Sequence, residues 1–365
     1  MSFGGFKELH IGSLIARLPI IQGGMGIGIS LHRLASAVAN EGGIGVIATA
    51  GIGMDEPDFS GNFLEAHARA LRKEIRKARE LTKGIIGVNI MVALTNFADL
   101  VKTAIEEEID IIFSGAGLPL NLPQFVNDTI KTKLVPIVSS ARAAGIIAKK
   151  WSEKYNRLPD AVVVEGPLAG GHLGFKEEML GDPEYSLEKL VPEVIKAMKP
   201  YEEKYHRHIP VIAAGGIYTG ADIYRFFQLG ASGVQMATRF VTTYECDASE
   251  KFKQTYVDAK KEDMVIIKSP VGMPGRAIKN TFLDEVRQGQ RKPFECSYFC
   301  LKTCDYENSP YCITLALMNA KKGNLSHGFA FAGANAYRAT GIISVKELIE
   351  KIKEEYKAAS LTQEQ

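Results

Sequence analysis

His172 lies in the run Glu165-Gly166-Pro167-Leu168-Ala169-Gly170-Gly171-His172-Leu173-Gly174, where little side chain is near enough in sequence to pack an imidazole. With a reference pKa of about 6.5, a histidine there can take or give a proton at neutral pH, or orient an anion. The plain alternative is a ring that caps its loop by donating to a carbonyl. The other histidines have weaker settings: His32 at a helix start, His67 on an amphipathic helix, His206 and His208 flanking a polar loop, His10 and His327 in segments without a clear pattern. Three glycine-bearing turns stand out beside it. Gln22-Gly23-Gly24-Met25-Gly26 lacks the Cβ atoms that would keep a backbone away from a flat ligand. Ala213-Ala214-Gly215-Gly216-Ile217 and Gln235-Met236-Ala237-Thr238-Arg239 offer backbone amides and a hydroxyl of the kind that hold phosphate. Finally, Cys296, Cys300, Cys304 and Cys312 read C-x3-C-x3-C-x7-C. Four thiolates in so short a span suit a [4Fe–4S] cluster or zinc, with reduced cysteines packing a small lid as the alternative.

These turns need a frame. Eight short apolar runs recur along the chain: 19–25, 43–49, 85–91, 110–115, 134–140, 161–165, 210–215 and 233–240. Continuous apolar runs fit strands buried on both faces. Helical patterns separate them at 31–40, 64–81, 97–107, 120–130, 141–155, 187–198 and 221–229. Strict alternation over eight units predicts an α/β fold of the (β/α)8 TIM-barrel type. Each chemical turn then falls just past a strand, at the face where such barrels carry their sites. The eighth helix does not follow the eighth strand; it comes only at 345–356. Residues 242–327 therefore read as an insert, helical at 250–261 and then rich in Pro, Gly and Cys. The division expected is a barrel of 1–241 plus 328–358, a mainly helical inserted lid at 242–327 that carries the cysteines, and a polar tail at 359–365. In the insert, Lys268 and Arg276 flank a Gly/Pro loop that would either clamp an anionic substrate or nicotinamide phosphate, or simply be solvated. Arg239 suits a carboxylate as well as a phosphate, and Cys246, alone, reads as structural.

Composition narrows the class. The 365 residues carry a net charge of +2 with both signs mixed, 46% hydrophobic and 24% charged residues. No basic stretch interleaved with aromatics suggests nucleic acid. No run reaches the roughly 18 apolar residues of a membrane span, and the first 19 residues do not resemble a signal peptide. The expectation is a cytoplasmic enzyme acting on a small molecule. The five cysteines, four of them within 17 residues, are not spaced as a disulfide framework.

The strand-end motifs together resemble those of the nitronate monooxygenase (formerly 2-nitropropane dioxygenase) family: 19–25, Gly87-Val-Asn89, 170–174, 210–217 and 235–240. Its relatives include FMN-dependent enoyl-acyl-carrier-protein reductases and NAD(P)H:quinone reductases. The likeness runs through all eight strands and resumes at 328–343. It implies FMN, with Gly23, Gly24 and Met25 against the isoalloxazine and Asn89 hydrogen-bonding near it. Glu165 and Gly171 would border the cofactor, and His172 would face its reactive side. Ala214, Gly215, Gly216 and the turn Gln235, Met236, Ala237, Thr238 would hold the phosphate. Two positions depart from the family pattern. Ala237 stands where glycine is usual, which requires a negative φ, and Asn335 stands where glutamine is frequent. The resemblance implies oxygen-dependent oxidation of alkyl nitronates to carbonyl compounds and nitrite, with His172 as base or anion holder. Within the same fold the alternative is an NAD(P)H-dependent reductase acting on an enoyl thioester or quinone. No separate G-x-G-x-x-G fingerprint is present, and the fold does not need one. A non-catalytic FMN-binding protein is the third reading, and the outer helix faces leave room for a homodimer.

Overall fold

The computed structural model describes residues 5–292, 294–296 and 298–362. Eight parallel strands close into a barrel: Ile20–Gln22, Ile44–Ala48, Ile85–Asn89, Ile111–Ser114, Lys133–Val138, Val162–Glu165, Val211–Ala214 and Gly233–Met236, numbered here one to eight. Strand eight returns to strand one, with Val234 opposite Ile20 and Met236 opposite Gln22. All eight coincide with apolar runs of the sequence, because a parallel strand covered on both faces has no polar side to interrupt it.

Alternation divides the apolar side chains into two cores. Ile21, Val46, Ile111, Phe113, Val135, Val163 and Ile212 point inward and fill the barrel. Ile20, Ile47, Val88, Ile112, Val162, Val211 and Val234 point outward against the helices. Gly87 shows why its residue type matters: a Cβ there would come within 2.7 Å of Phe113 Cε2, so the phenyl ring fills the interior where strand three has no side chain. A hairpin of Leu9–Ile11 and Leu14–Ala16 adds Leu9, Ile11 and Ala16 to the same interior core. That hairpin was not read from the sequence.

The helices are His32–Asn40, Phe63–Leu81, Phe97–Glu106, Ala141–Tyr155, Leu187–Tyr205, Gly220–Gln228 and, after the insert, Val345–Thr362. The helix expected at 120–130 is absent; only the 3₁₀ turn Leu122–Phe125 forms. Pro123 lacks an N–H, and Asn127 Oδ1 accepts from Thr129 N at 3.0 Å, turning the chain away from a helical path. The helix Leu187–Tyr205 runs past its expected end at 198, in spite of Pro192 and Pro200. The last helix continues to Thr362, so residues 359–362 of the expected tail are helical and 363–365 lie outside the described residues.

The insert contains helices Glu250–Asp258, Thr281–Arg287 and Ile313–Lys321, and also a hairpin of Met264–Lys268 and Pro274–Ile278. Phe282, Tyr311, Ile313, Ala316 and Phe329 give it a small core of its own. It touches the barrel face on two sides. Its hairpin pairs with Gly171–His172 beyond strand six, Gly275 opposite His172. Across the mouth, Leu301 bridges to Leu94, Thr95 N donates to Cys300 O at 3.2 Å, and Lys302 N to Ala93 O at 2.9 Å, all beyond strand three. Among the described residues no helix is long and apolar enough to cross a membrane.

Candidate functional site

A cavity of about 1250 Å³ opens at the C-terminal end of the strands, beneath the insert. Usual small-molecule sites occupy roughly 300–1,000 Å³, so this one has room for a cofactor and a second molecule. Its lining includes every strand-end residue singled out from the sequence: Gly23, Gly24, Met25, Asn89, Glu165, Gly171, His172, Ala214, Gly215, Gly216, Gln235, Met236, Ala237 and Thr238. Residues up to 215 positions apart are brought together because each follows a strand of one ring.

His172 owes its position to the insert. Its short strand is the third member of the hairpin sheet, and Leu173 N donates to Pro274 O at 2.9 Å. Nε2 lies 2.7 Å from Ser269 Oγ, and the ring meets Phe331 edge-on at 5.0 Å. Desolvation pushes the imidazole down to about 4, so it is neutral at pH 7. When Nε2–H donates to Ser269, Nδ1 keeps the free lone pair. Ser269 was missed in the sequence reading; it is one serine in a loop, and only hairpin pairing puts it beside the ring.

The two cations of that loop are not a clamp at the mouth. Arg276 is buried, and its Nη1 donates to Pro167 O and Ala169 O at 2.7 Å each. It therefore fastens the loop that leads to His172, and the expectation of an anion clamp is corrected on that residue. Lys268 ends its strand exposed and lines a separate groove on the insert. Arg239 pairs with a carboxylate, both oxygens of Glu355 at 2.8 Å, tying the turn after strand eight to the last helix.

The glycine turns have the geometry of a cradle. Gly215 and Gly216 adopt φ of +93° and +84°, and a Cβ on either would stand 2.8 Å from Gly166 O or Leu168 Cβ. Ala237 has φ −123°, the negative φ that an alanine needs there. Thr238 Oγ1 accepts from Gly333 N at 3.0 Å, leaving its proton for another acceptor. Asn335 Nδ2 donates to Gly216 O at 2.6 Å, holding the strand-seven turn at the cavity wall.

Glu165 sits deep in the protein but opens onto the cavity, and desolvation pushes its carboxyl up to about 7. A carboxyl whose folded pKa exceeds its unfolded value near 4.5 stabilises the fold fully below that value, and the contribution is lost as pH rises through about 7. Glu165→Gln is thus expected to melt roughly 2–4 °C above the parent at pH 8 and level with it at pH 5. Equal melting temperatures at pH 8, read by calorimetry, would show that the carboxylate is solvated or compensated.

The expected metal group is not assembled. All four cysteines are free thiols, and among the described residues no three His, Cys, Asp or Glu side chains are placed to hold a metal ion. On a helix the x3 spacing would put Cys296, Cys300 and Cys304 on one face. No helix lies between Arg287 and Ile313 among the described residues. Cys296, Cys300 and Cys312 line the cavity, while Cys304 packs in the insert's core. Burial raises the thiols of Cys300, Cys304 and Cys312, and Cys300 Sγ lies 3.3 Å from Thr314 Oγ1.

Comparison with known proteins places this geometry among relatives. The model of the family described as "NMO: Nitronate monooxygenase" matches residues 7–355. A probable nitronate monooxygenase of Staphylococcus aureus (strain Newman) is 30% identical, over 74% of this chain and 78% of its own. The structure of FabK from Thermotoga maritima superposes with a TM-score of 0.73 at 30% identity, covering 95% of both chains. A nitroalkane oxidase from Streptomyces ansochromogenes has the same fold, with a TM-score of 0.72 at 22% identity, covering 95% of this chain and 97% of its own.

Proposed function

The chain belongs to the nitronate monooxygenase family of flavin-dependent oxidoreductases, and from that premise we propose that it binds FMN and oxidises alkyl nitronates to carbonyl compounds and nitrite with oxygen. The observation that carries the reading is the desolvated, neutral His172, lining a large cavity beside glycine turns that leave space for a phosphate ester. The residues fit FMN. Gly215 and Gly216 present a turn that side chains would fill, Ala237 has the φ the turn needs, and Thr238 keeps a hydroxyl proton to donate. Gly23, Gly24, Met25 and Asn89 would border the ring system, while Glu165, Gly171, Ala214, Gln235 and Met236 complete the surround.

When bound, FMN supplies the electron acceptance that amino-acid side chains lack. The protein's part is proton management and orientation. With Nε2–H given to Ser269, His172 Nδ1 takes the α-proton of a neutral nitroalkane; the resulting imidazolium then holds the nitronate anion. Arg276 keeps the His172 loop in place through Pro167 and Ala169. The insert excludes water and so strengthens the contact between imidazolium and anion.

Propyl-2-nitronate under air should give acetone and nitrite with oxygen uptake and no added NAD(P)H. Strict dependence on NAD(P)H would move the assignment to the second reading, a reductase of an enoyl thioester or quinone. What favours that second reading is the cavity volume, larger than a simple nitroalkane and FMN require, with walls of Phe59, Phe63, Leu94, Tyr298 and Leu317.

A further inference from the structure

His172 and Gly275 stand directly opposite each other on antiparallel strands. Side chains of such a pair share one face of the sheet and pack together. Gly275 has no side chain, so the imidazole lacks a cross-strand neighbour from its own hairpin. Phe331 takes that place. A Cβ on Gly275 would stand 2.8 Å from Phe331 Cε1, so the phenyl ring fills the space a side chain at 275 would need. Its centroid lies 5.0 Å from that of the imidazole, with the planes at 66°, a favoured arrangement for two aromatic rings. Aromatic rings cover strand glycines in this manner. Among the described residues no other aromatic ring meets His172.

The backbone around Phe331 is fastened firmly enough to keep its ring there. Phe331 bridges antiparallel to Ala277. Ile278 N donates to Ala330 O at 2.9 Å, and Ala332 N donates to Arg276 O at 3.1 Å. Tyr256, 3% exposed on the helix Glu250–Asp258, donates its hydroxyl to Phe331 O. The ring also meets Phe329, a member of the insert's own core, at 5.1 Å and 88°.

The ionisable groups on the surrounding elements are Glu165 at the strand-six exit, Lys268 and Arg276 on the hairpin, and Tyr256 bonded to Phe331 O. Arg276 is turned to the carbonyls of Pro167 and Ala169. None of these groups shifts the imidazole, which is perturbed by burial alone. Its state is therefore set by what covers it. We propose that Phe331 is the positioning residue of this site. Its ring replaces the missing side chain of Gly275, holds the imidazole with Nε2 on Ser269 and Nδ1 free for substrate, and keeps water from it. The effect on turnover rests on the reading of His172 as the base.

The test is a histidine NMR titration of the protein as purified, with the His172 signal identified by its loss in His172→Ala. The parent should show one tautomer, protonated on Nε2, and stay neutral down to about pH 4. Phe331→Ala should show mixed tautomers and a midpoint displaced upward by about tenfold in proton concentration, as water reaches the imidazole. Phe331→Leu keeps apolar volume without the flat edge, and its midpoint should move about threefold. Gly275→Ala leaves Phe331 in the chain but drives a methyl group against Cε1, and should also mix the tautomers. If Phe331→Ala loses its far-UV circular dichroism, Phe331→Leu and Gly275→Ala decide. One tautomer and an unmoved midpoint in the folded variants overturn the role. Turnover of nitroethane by Phe331→Ala should fall about tenfold, with the acid limb displaced in the same direction. The NMR signals need no turnover. Nitronate chemistry can fail with this arrangement intact, and unmoved signals refute it even in a protein that oxidises nitronate.

Discussion

His172→Ala is expected to retain FMN while kcat/KM for a neutral nitroalkane such as nitroethane falls about 10²–10⁴-fold, the usual worth of a positioned general base. Preformed nitronate needs no proton removed, so its turnover should fall far less. The difference between the two substrates separates loss of a base from general damage to the cavity. The pH profile gives an independent check. A base works when unprotonated, and His172 is pushed down to about 4 by burial. Its acid limb for nitroethane therefore belongs near that value, with activity lost as pH falls through it. Ser269→Ala removes the hydroxyl 2.7 Å from Nε2 and should lower turnover of nitroethane more than that of nitronate by freeing the ring to change tautomer. Equal turnover of nitroethane by His172→Ala and the parent would remove histidine from the proton transfer.

Gly215→Ala should yield protein that folds but purifies with little flavin. At φ +93° an L-residue is strained, and the new Cβ would stand 2.8 Å from Gly166 O and 3.1 Å from Gly166 N. Those are backbone atoms of the strand-six exit, where Gly166 N also donates to Ala214 O at 2.9 Å. Relief must come from moving the strand-seven turn itself, the element expected to hold phosphate. We expect FMN affinity to drop at least tenfold, measured by fluorescence of released flavin on dilution, with far-UV circular dichroism unchanged. Full flavin occupancy would place the phosphate elsewhere in the cavity.

The barrel was legible because it depends on local pattern. Each parallel strand lies in a mainly apolar run, and a glycine turn after it needs no partner to be noticed. The contents of the insert were not legible for the opposite reason. The hairpin that seats His172 is defined by pairing with residues about a hundred positions earlier, and its strand Met264–Lys268 is one short apolar run among many. Arg276 read as a mouth cation because its true partners are backbone carbonyls, which leave no trace in composition. Four cysteines within 17 residues suggested a ligand set, but among the described residues no helix lies between Arg287 and Ile313 to line three of them up on one face.

The closed ring has a consequence for how the chain acquires its structure. Strand one, Ile20–Gln22, waits for strand eight, Gly233–Met236, before its second edge is covered. The turn after strand eight is tied in turn to Glu355, near the end of the chain. Contacts of such sequence separation must be reached before they reward the loss of chain entropy, which makes folding slow. Until strand eight is made the ring cannot close, and any sheet formed earlier has two uncovered edges that invite pairing with a neighbouring chain. Assembly thus becomes complete only with the final helix, and destabilising substitutions at the seam between strands eight and one should reduce the yield of folded protein before they alter turnover.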